Sequence, residues 1–130
     1  MLYHDANKIS GLEHIDLWES FVLGWELKGE ELRIKIDAYL FPEHEGYTEP
    51  KENEWACFAS AYLIFDGVKD MDGFSSLAEC KPAVDATGEK DFGHIEDFQF
   101  TVLGEYIFTI EFAGKLNFKA QGVRLSLENV

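Results

Sequence analysis

The residues able to do chemistry are few, and none falls into a recognised catalytic spacing. Each of the four histidines has an acidic neighbour, in His4-Asp5, His14-Ile15-Asp16, Glu43-His44-Glu45 and His94-Ile95-Glu96-Asp97. Imidazole and carboxylate together are the donors that hydrolytic zinc and iron sites use. With 25 Asp and Glu in 130 residues, however, such adjacency is expected without a site, so no metal and no cofactor is expected. Glu43 and Glu45 could pair as acid and base, but nothing in the sequence sets their separation or raises one pKa. Cys57 sits in the most apolar stretch, and Cys80 beside Lys81 is the more reactive thiol without being part of a motif. There is no P-loop, no GxGxxG after a strand, no GxSxG and no HExxH. The chain is therefore read as non-enzymatic.

A different chemistry is concentrated in residues 41–54, where five acids stand against one base, flanked by Pro42 and Pro50. Prolines limit the conformations lost on docking, an aromatic anchors and carboxylates meet basic groups. Glu43, His44, Glu45, Tyr47 and Glu49 are accordingly the candidate binding residues, with Asp85 to Asp97 a second stretch of the same charge balance. Whole-chain charge agrees. The net charge is −14, spread as 13 acids and 5 bases in residues 1–65 and 12 and 6 in residues 66–130. Such a field repels phosphate backbones, which excludes direct nucleic-acid binding, and it steers a basic protein partner inward.

The longest charge-free stretch, Ala56 to Phe65, is far short of the roughly 20 apolar residues of a spanning helix. No basic region followed by an apolar one opens the chain, so a soluble, cytoplasmic protein with reduced thiols is expected.

The elements that must position these residues are strands. Leu32 to Leu40 alternates apolar and mostly charged residues, the mark of a half-buried strand. Phe21 to Leu27 precedes it across Lys28-Gly29-Glu30-Glu31, predicting a hairpin with a bulge at Gly24. Trp55 to Phe65 is apolar on both parities, predicting a central strand covered on both faces. From Phe98 onward four strands, 98–103, 106–113, 116–120 and 123–127, read as a meander, with Gly104-Glu105 and Gly114-Lys115 as two-residue type II′ loops. Tyr106, Phe108, Phe112 and Phe118 are assigned to its core, whereas Trp18, Trp25, Tyr39 and Tyr47 suit a core edge or an exposed platform. Helix signals are sparse. Ser76-Leu77-Ala78-Glu79 has capping-box spacing but runs into Pro82, and Ile9, Leu12 and Ile15 fit a helical face while His14 to Leu17 alternates.

The opening Tyr3-His4-Asp5-Ala6 resembles the start of several families of small bacterial β-rich proteins, some of them immunity proteins of polymorphic toxin systems. Val22-Leu23-Gly24-Trp25, Pro50, Glu54-Trp55-Ala56-Cys57-Phe58 and Phe65-Asp66-Gly67-Val68 are similar to a group of short bacterial proteins of uncharacterised function, over residues 3 to 74. The resemblance implies a bacterial, toxin-neutralising role and brings no catalytic residues.

The expectation is one all-β domain over residues 1–130, an antiparallel sandwich or small barrel of about seven strands with one or two short helices at most. The alternative is an α+β layout with residues 5 to 20 helical. The expected function is an acidic interaction protein, possible immunity partner of a basic macromolecule. The alternative is a small-molecule-binding or metal-dependent enzyme domain on a β scaffold.

Overall fold

A computed structural model describes residues 2–50, 52, 56–73, 83–84 and 90–128. Among the described residues eleven strands run in chain order: β1 (His4–Asp5), β2 (Ile15–Lys28), β3 (Glu31–Leu40), β4 (Cys57–Asp66), β5 (Lys69–Asp72), β6 (Ala83–Val84), β7 (Lys90–Asp91), β8 (Ile95–Phe100), β9 (Glu105–Ile110), β10 (Gly114–Lys119) and β11 (Gly122–Leu127). They form a five-stranded sheet ordered β1-β8-β9-β10-β5, a four-stranded sheet ordered β11-β4-β3-β2, and the separate pair β6-β7. Every pairing is antiparallel. The fold is an all-β sandwich rather than a closed barrel. The seven strands of six or more residues are the seven that alternation predicts; β1, β5, β6 and β7, of two to four residues, are too short to show a period.

The helical alternative for residues 5 to 20 is wrong. Only Ala6–Lys8 forms a turn of 3-10 helix, and β2 already begins at Ile15. The capping-box segment at Ser76 lies outside the described residues. The hairpin β2-β3 forms as expected, and the register slips between Val22 and Gly24, which puts the bulge beside the glycine. β4 lies between β3 and β11 and is internal to its sheet. Its odd positions Cys57, Ala61, Leu63 and Phe65 are buried, but of the even positions only Ile64 is; Phe58, Ser60 and Tyr62 stay half-buried on the outer face.

Two further corrections concern the C-terminal third. β8, β9 and β10 form a meander, whereas β11 leaves it and pairs with β4 in the other sheet. The switch occurs at one corner, where Ala120 N–H donates to the Gly104 carbonyl (2.9 Å) and Gln121 N–H to the Asp66 carbonyl (2.7 Å). The connecting loops are longer than two residues; Gly104 (φ +83°) closes the first from its last position, and Gly114 (φ +111°) is the first residue of β10, just past the second, so neither opens its loop. In the second loop Ala113 N–H donates to Ile110 carbonyl at 3.1 Å, and this turn rotates Phe112 out to 53% exposure although its parity assigned it to the core.

The core lies between the sheets. Leu32, Ile34, Ile36 and Leu40 from β3 and Leu63 and Phe65 from β4 face Phe98, Phe108, Leu116 and Phe118. Along one side Phe92 to His94 joins the two layers: Phe92 N–H donates to the Val22 carbonyl (2.8 Å), and Phe112 N–H to the Phe92 carbonyl (2.9 Å).

Candidate functional site

The anionic loop leaves the end of β3 at Leu40. Phe41 N–H donates to the His14 carbonyl at 2.9 Å, pinning the loop to the turn before β2. Two successive turns follow, closed by His44 N–H to the Phe41 carbonyl (2.9 Å) and Tyr47 N–H to the His44 carbonyl (3.0 Å). Pro42 occupies the second position of the first turn, where its fixed φ is already suitable. Gly46 N–H then donates to His44 Nδ1 at 2.9 Å, so Nδ1 acts as acceptor and is committed within the loop. Thr48 N–H reaches Cys57 Sγ at 3.5 Å, which ties the far side of the loop to the start of β4.

These bonds sort the candidate residues into two groups. His44 and Tyr47 are partly buried, and Tyr47 packs against the core; Glu43, Glu45 and Glu49 are exposed. Desolvation pushes the Tyr47 phenol above its ordinary pKa, and the Glu49 carboxylate adds to the shift. His44 and Tyr47 are thus the half-buried members of the loop, and Glu43, Glu45 and Glu49 its exposed ones.

The loop adjoins a row of aromatic rings on the outer face of the four-stranded sheet. Phe41 meets Tyr39 at 5.5 Å, Tyr39 meets Phe58 at 5.6 Å, Phe58 meets Phe21 at 6.0 Å and Phe21 meets His94 at 4.4 Å. Asp16 and Asp37 share that face, opposite Tyr39 and Phe21 respectively. Trp18 and Trp25, by contrast, pack at the rim of the core. His94 Nδ1 lies 3.1 Å from Glu111 Oε1, and Cys57 is buried as a free thiol; Cys80 lies outside the described residues. Among the described residues no three His, Cys, Asp or Glu side chains converge as a metal site, and no helix is long and apolar enough to cross a membrane.

Sequence reasoning missed a shallow cavity of about 270 Å³ lined by Tyr3, Asp70, Glu105, Asn117 and Lys119. Two pairs of its polar groups meet: Tyr3 O–H donates to Glu105 Oε2 at 3.4 Å, and Lys119 Nζ lies 3.6 Å from Asp70 Oδ2. Four separate segments build it, so no local spacing announces it.

No protein-family model matches the chain, and no curated protein or solved structure matches it either.

Proposed function

We propose that the protein is a non-enzymatic binding module that takes a basic protein partner through the 41–50 loop and the adjoining aromatic row, in the manner of a toxin-neutralising immunity protein. The observation that carries this reading is the division of labour in the loop. His44 closes the turns within the loop, Tyr47 packs on the core and Thr48 bonds to Cys57, while Glu43, Glu45 and Glu49 face solvent. A loop already held in one conformation loses little entropy on docking, so its carboxylates keep more of their attraction as affinity. Aromatic faces beside carboxylates are surroundings that suit Arg and Lys side chains, which gain from ring quadrupole and charge together. The net charge of −14 favours the same class of partner at longer range.

The cavity at Asp70 supports a second reading, a small polar ligand, but both of its carboxylates already have partners. The two readings separate in one experiment. A native bacterial extract is passed at low salt over the immobilised protein and over a Glu43→Gln, Glu45→Gln, Glu49→Gln variant, and association of the captured basic protein is followed by stopped flow. Capture lost in the variant, with an on-rate that falls as salt rises, is expected, because exposed charges are screened beyond about 10 Å at 0.1 M. Equal capture by the variant, or salt-independent association, would sink the proposal.

A further inference from the structure

Among the described residues β11 is an edge strand. It pairs with β4 on one side, and no described residue pairs with its other side. Its register shows which groups are open. Glu128 N–H donates to the Ser60 carbonyl at 2.9 Å, so the hydrogen-bonded pairs with β4 fall at even positions, Ser126 with Tyr62 and Arg124 with Ile64. The N–H and C=O groups of Val123, Leu125 and Leu127 therefore point away from the sheet, six backbone groups in a row. Natural edges are usually blunted by a proline, a bulge, an inward charge or extreme shortness. The six residues of β11 contain no proline and pair with β4 without a register shift.

The charges beside this edge alternate in sign. On the outer face Arg124 Nη1 lies 2.7 Å from Asp66 Oδ2, and Lys35 Nζ lies 3.6 Å from Glu128 Oε1. The geometry points to a second copy of this chain as the occupant, paired antiparallel along β11 with Ser126 on the twofold axis. In that register Leu125 exchanges both backbone hydrogen bonds with Leu127 of the other copy, and Leu127 with Leu125. Ser126 faces its own equivalent. Arg124 stands directly opposite Glu128 in the neighbouring strand, at the spacing where opposite charges in a ladder attract. The row across the junction then reads Asp66, Arg124, Glu128, Lys35, two residues from each copy with signs alternating throughout. Other registers do not achieve this: centring on Leu125 sets Arg124 against Ser126, centring on Leu127 sets Ser126 against Glu128, and centring on Arg124 sets it against itself. The β11 sequence is self-complementary in one register, and the two four-stranded sheets become one of eight strands.

Sedimentation equilibrium through the micromolar range tests the assignment. The wild type is expected to approach twice its 14.8 kDa mass. Arg124→Glu and Glu128→Arg should each weaken association at least roughly tenfold, because either change places like charges opposite at both symmetry-related positions. The double variant Arg124→Glu/Glu128→Arg restores the cross-copy pair but sets like charges beside Asp66 and Lys35 within each copy, so it should recover association in part and bind more tightly than either single variant. Amide exchange provides a readout without substitutions: the Leu125 and Leu127 amides should slow as wild-type concentration rises, because they donate across the junction. A 14.8 kDa mass at every concentration, a dimer indifferent to either single reversal, or a double variant that associates no better than either single one would each overturn the inference.

Discussion

The Phe65 ring meets Phe118 edge to face, with centroids 4.9 Å apart and an interplanar angle of 89°. Phe65 stands on the four-stranded sheet and Phe118 on the five-stranded one, and Phe98, Tyr106 and Phe108 surround the same ring from the second layer. Truncating Phe65 therefore opens a void between sheets that cannot slide together without breaking their ladders. Phe65→Ala should cost about 3–5 kcal/mol. Lys35→Ala, on the outer face with one half-exposed partner in Glu128, should cost under about 1 kcal/mol. Urea melts of both variants check the face assignment, and comparable losses would contradict it.

Ser20 replaces a missing rung of the β2-β3 ladder. The register breaks between Asp16 and Phe21, and within the break the fully buried Ser20 hydroxyl donates to the Asp16 carbonyl (2.8 Å) and accepts from Tyr39 N–H (3.0 Å). Ser20→Ala leaves the Tyr39 amide without that acceptor, a loss of roughly 1–3 kcal/mol. Ser20→Thr keeps the hydroxyl and should retain more stability than Ser20→Ala in thermal melts.

How far the sequence could be read follows from what alternation encodes. In residues 32–40 each apolar side chain faces the core and each charged one faces out, so period two was legible residue by residue. Alternation says nothing about which strand lies alongside, and β11 consequently gave no sign of leaving the meander for β4. Phe112 had the correct parity for the core but sits in a turn, and the helical spacing of Ile9, Leu12 and Ile15 comes from successive turns before β2, closed by Ile9 N–H to the Ala6 carbonyl and Leu12 N–H to the Ile9 carbonyl. In the site, composition located the loop but could not separate His44 and Tyr47, which hold it, from Glu43, Glu45 and Glu49, which it displays. That distinction lies in backbone donors such as Gly46 N–H, which carry no residue signature.

The corner where β10 passes into β11 depends on Gly104. Its φ is +83°, and a Cβ there would sit 2.7 Å from the Ala120 carbonyl oxygen, a backbone atom that cannot turn aside. Gly29 also has positive φ, at +57°, but nothing lies within 4 Å of its Cβ position. Gly29→Ala should cost about 1 kcal/mol from the left-handed conformation alone. Gly104→Ala adds the clash and should reach about 2–3 kcal/mol. Parallel denaturation curves decide the order, and a larger loss at Gly29 would contradict the account of the corner.

The pH dependence of stability has an identifiable contributor in Asp97. It lies on the outer face of the five-stranded sheet, opposite Thr109, which in turn stands opposite Lys115. Desolvation pushes its carboxyl above the ordinary value and Asp5 pushes it further, while Lys115 and the Phe98 backbone N–H oppose the shift. A raised carboxyl pKa means that the native state holds its proton more tightly than the unfolded chain does. Above both values the ionised native carboxylate is a penalty; below the unfolded value of about 3.9 both states are protonated and the penalty vanishes. This group therefore lowers stability as pH rises from about 4 through its native value. Asp97→Asn removes the charge and retains an oxygen able to accept from Phe98. The variant should melt above the wild type at neutral pH, with the gap closing as the solution is acidified below about pH 4. Asp5→Asn should give a smaller gain in the same direction, because it removes only the second cause. Thermal melts of the three proteins across this range supply the check, and a gap that does not change with pH would show that Asp97 is not the group responsible.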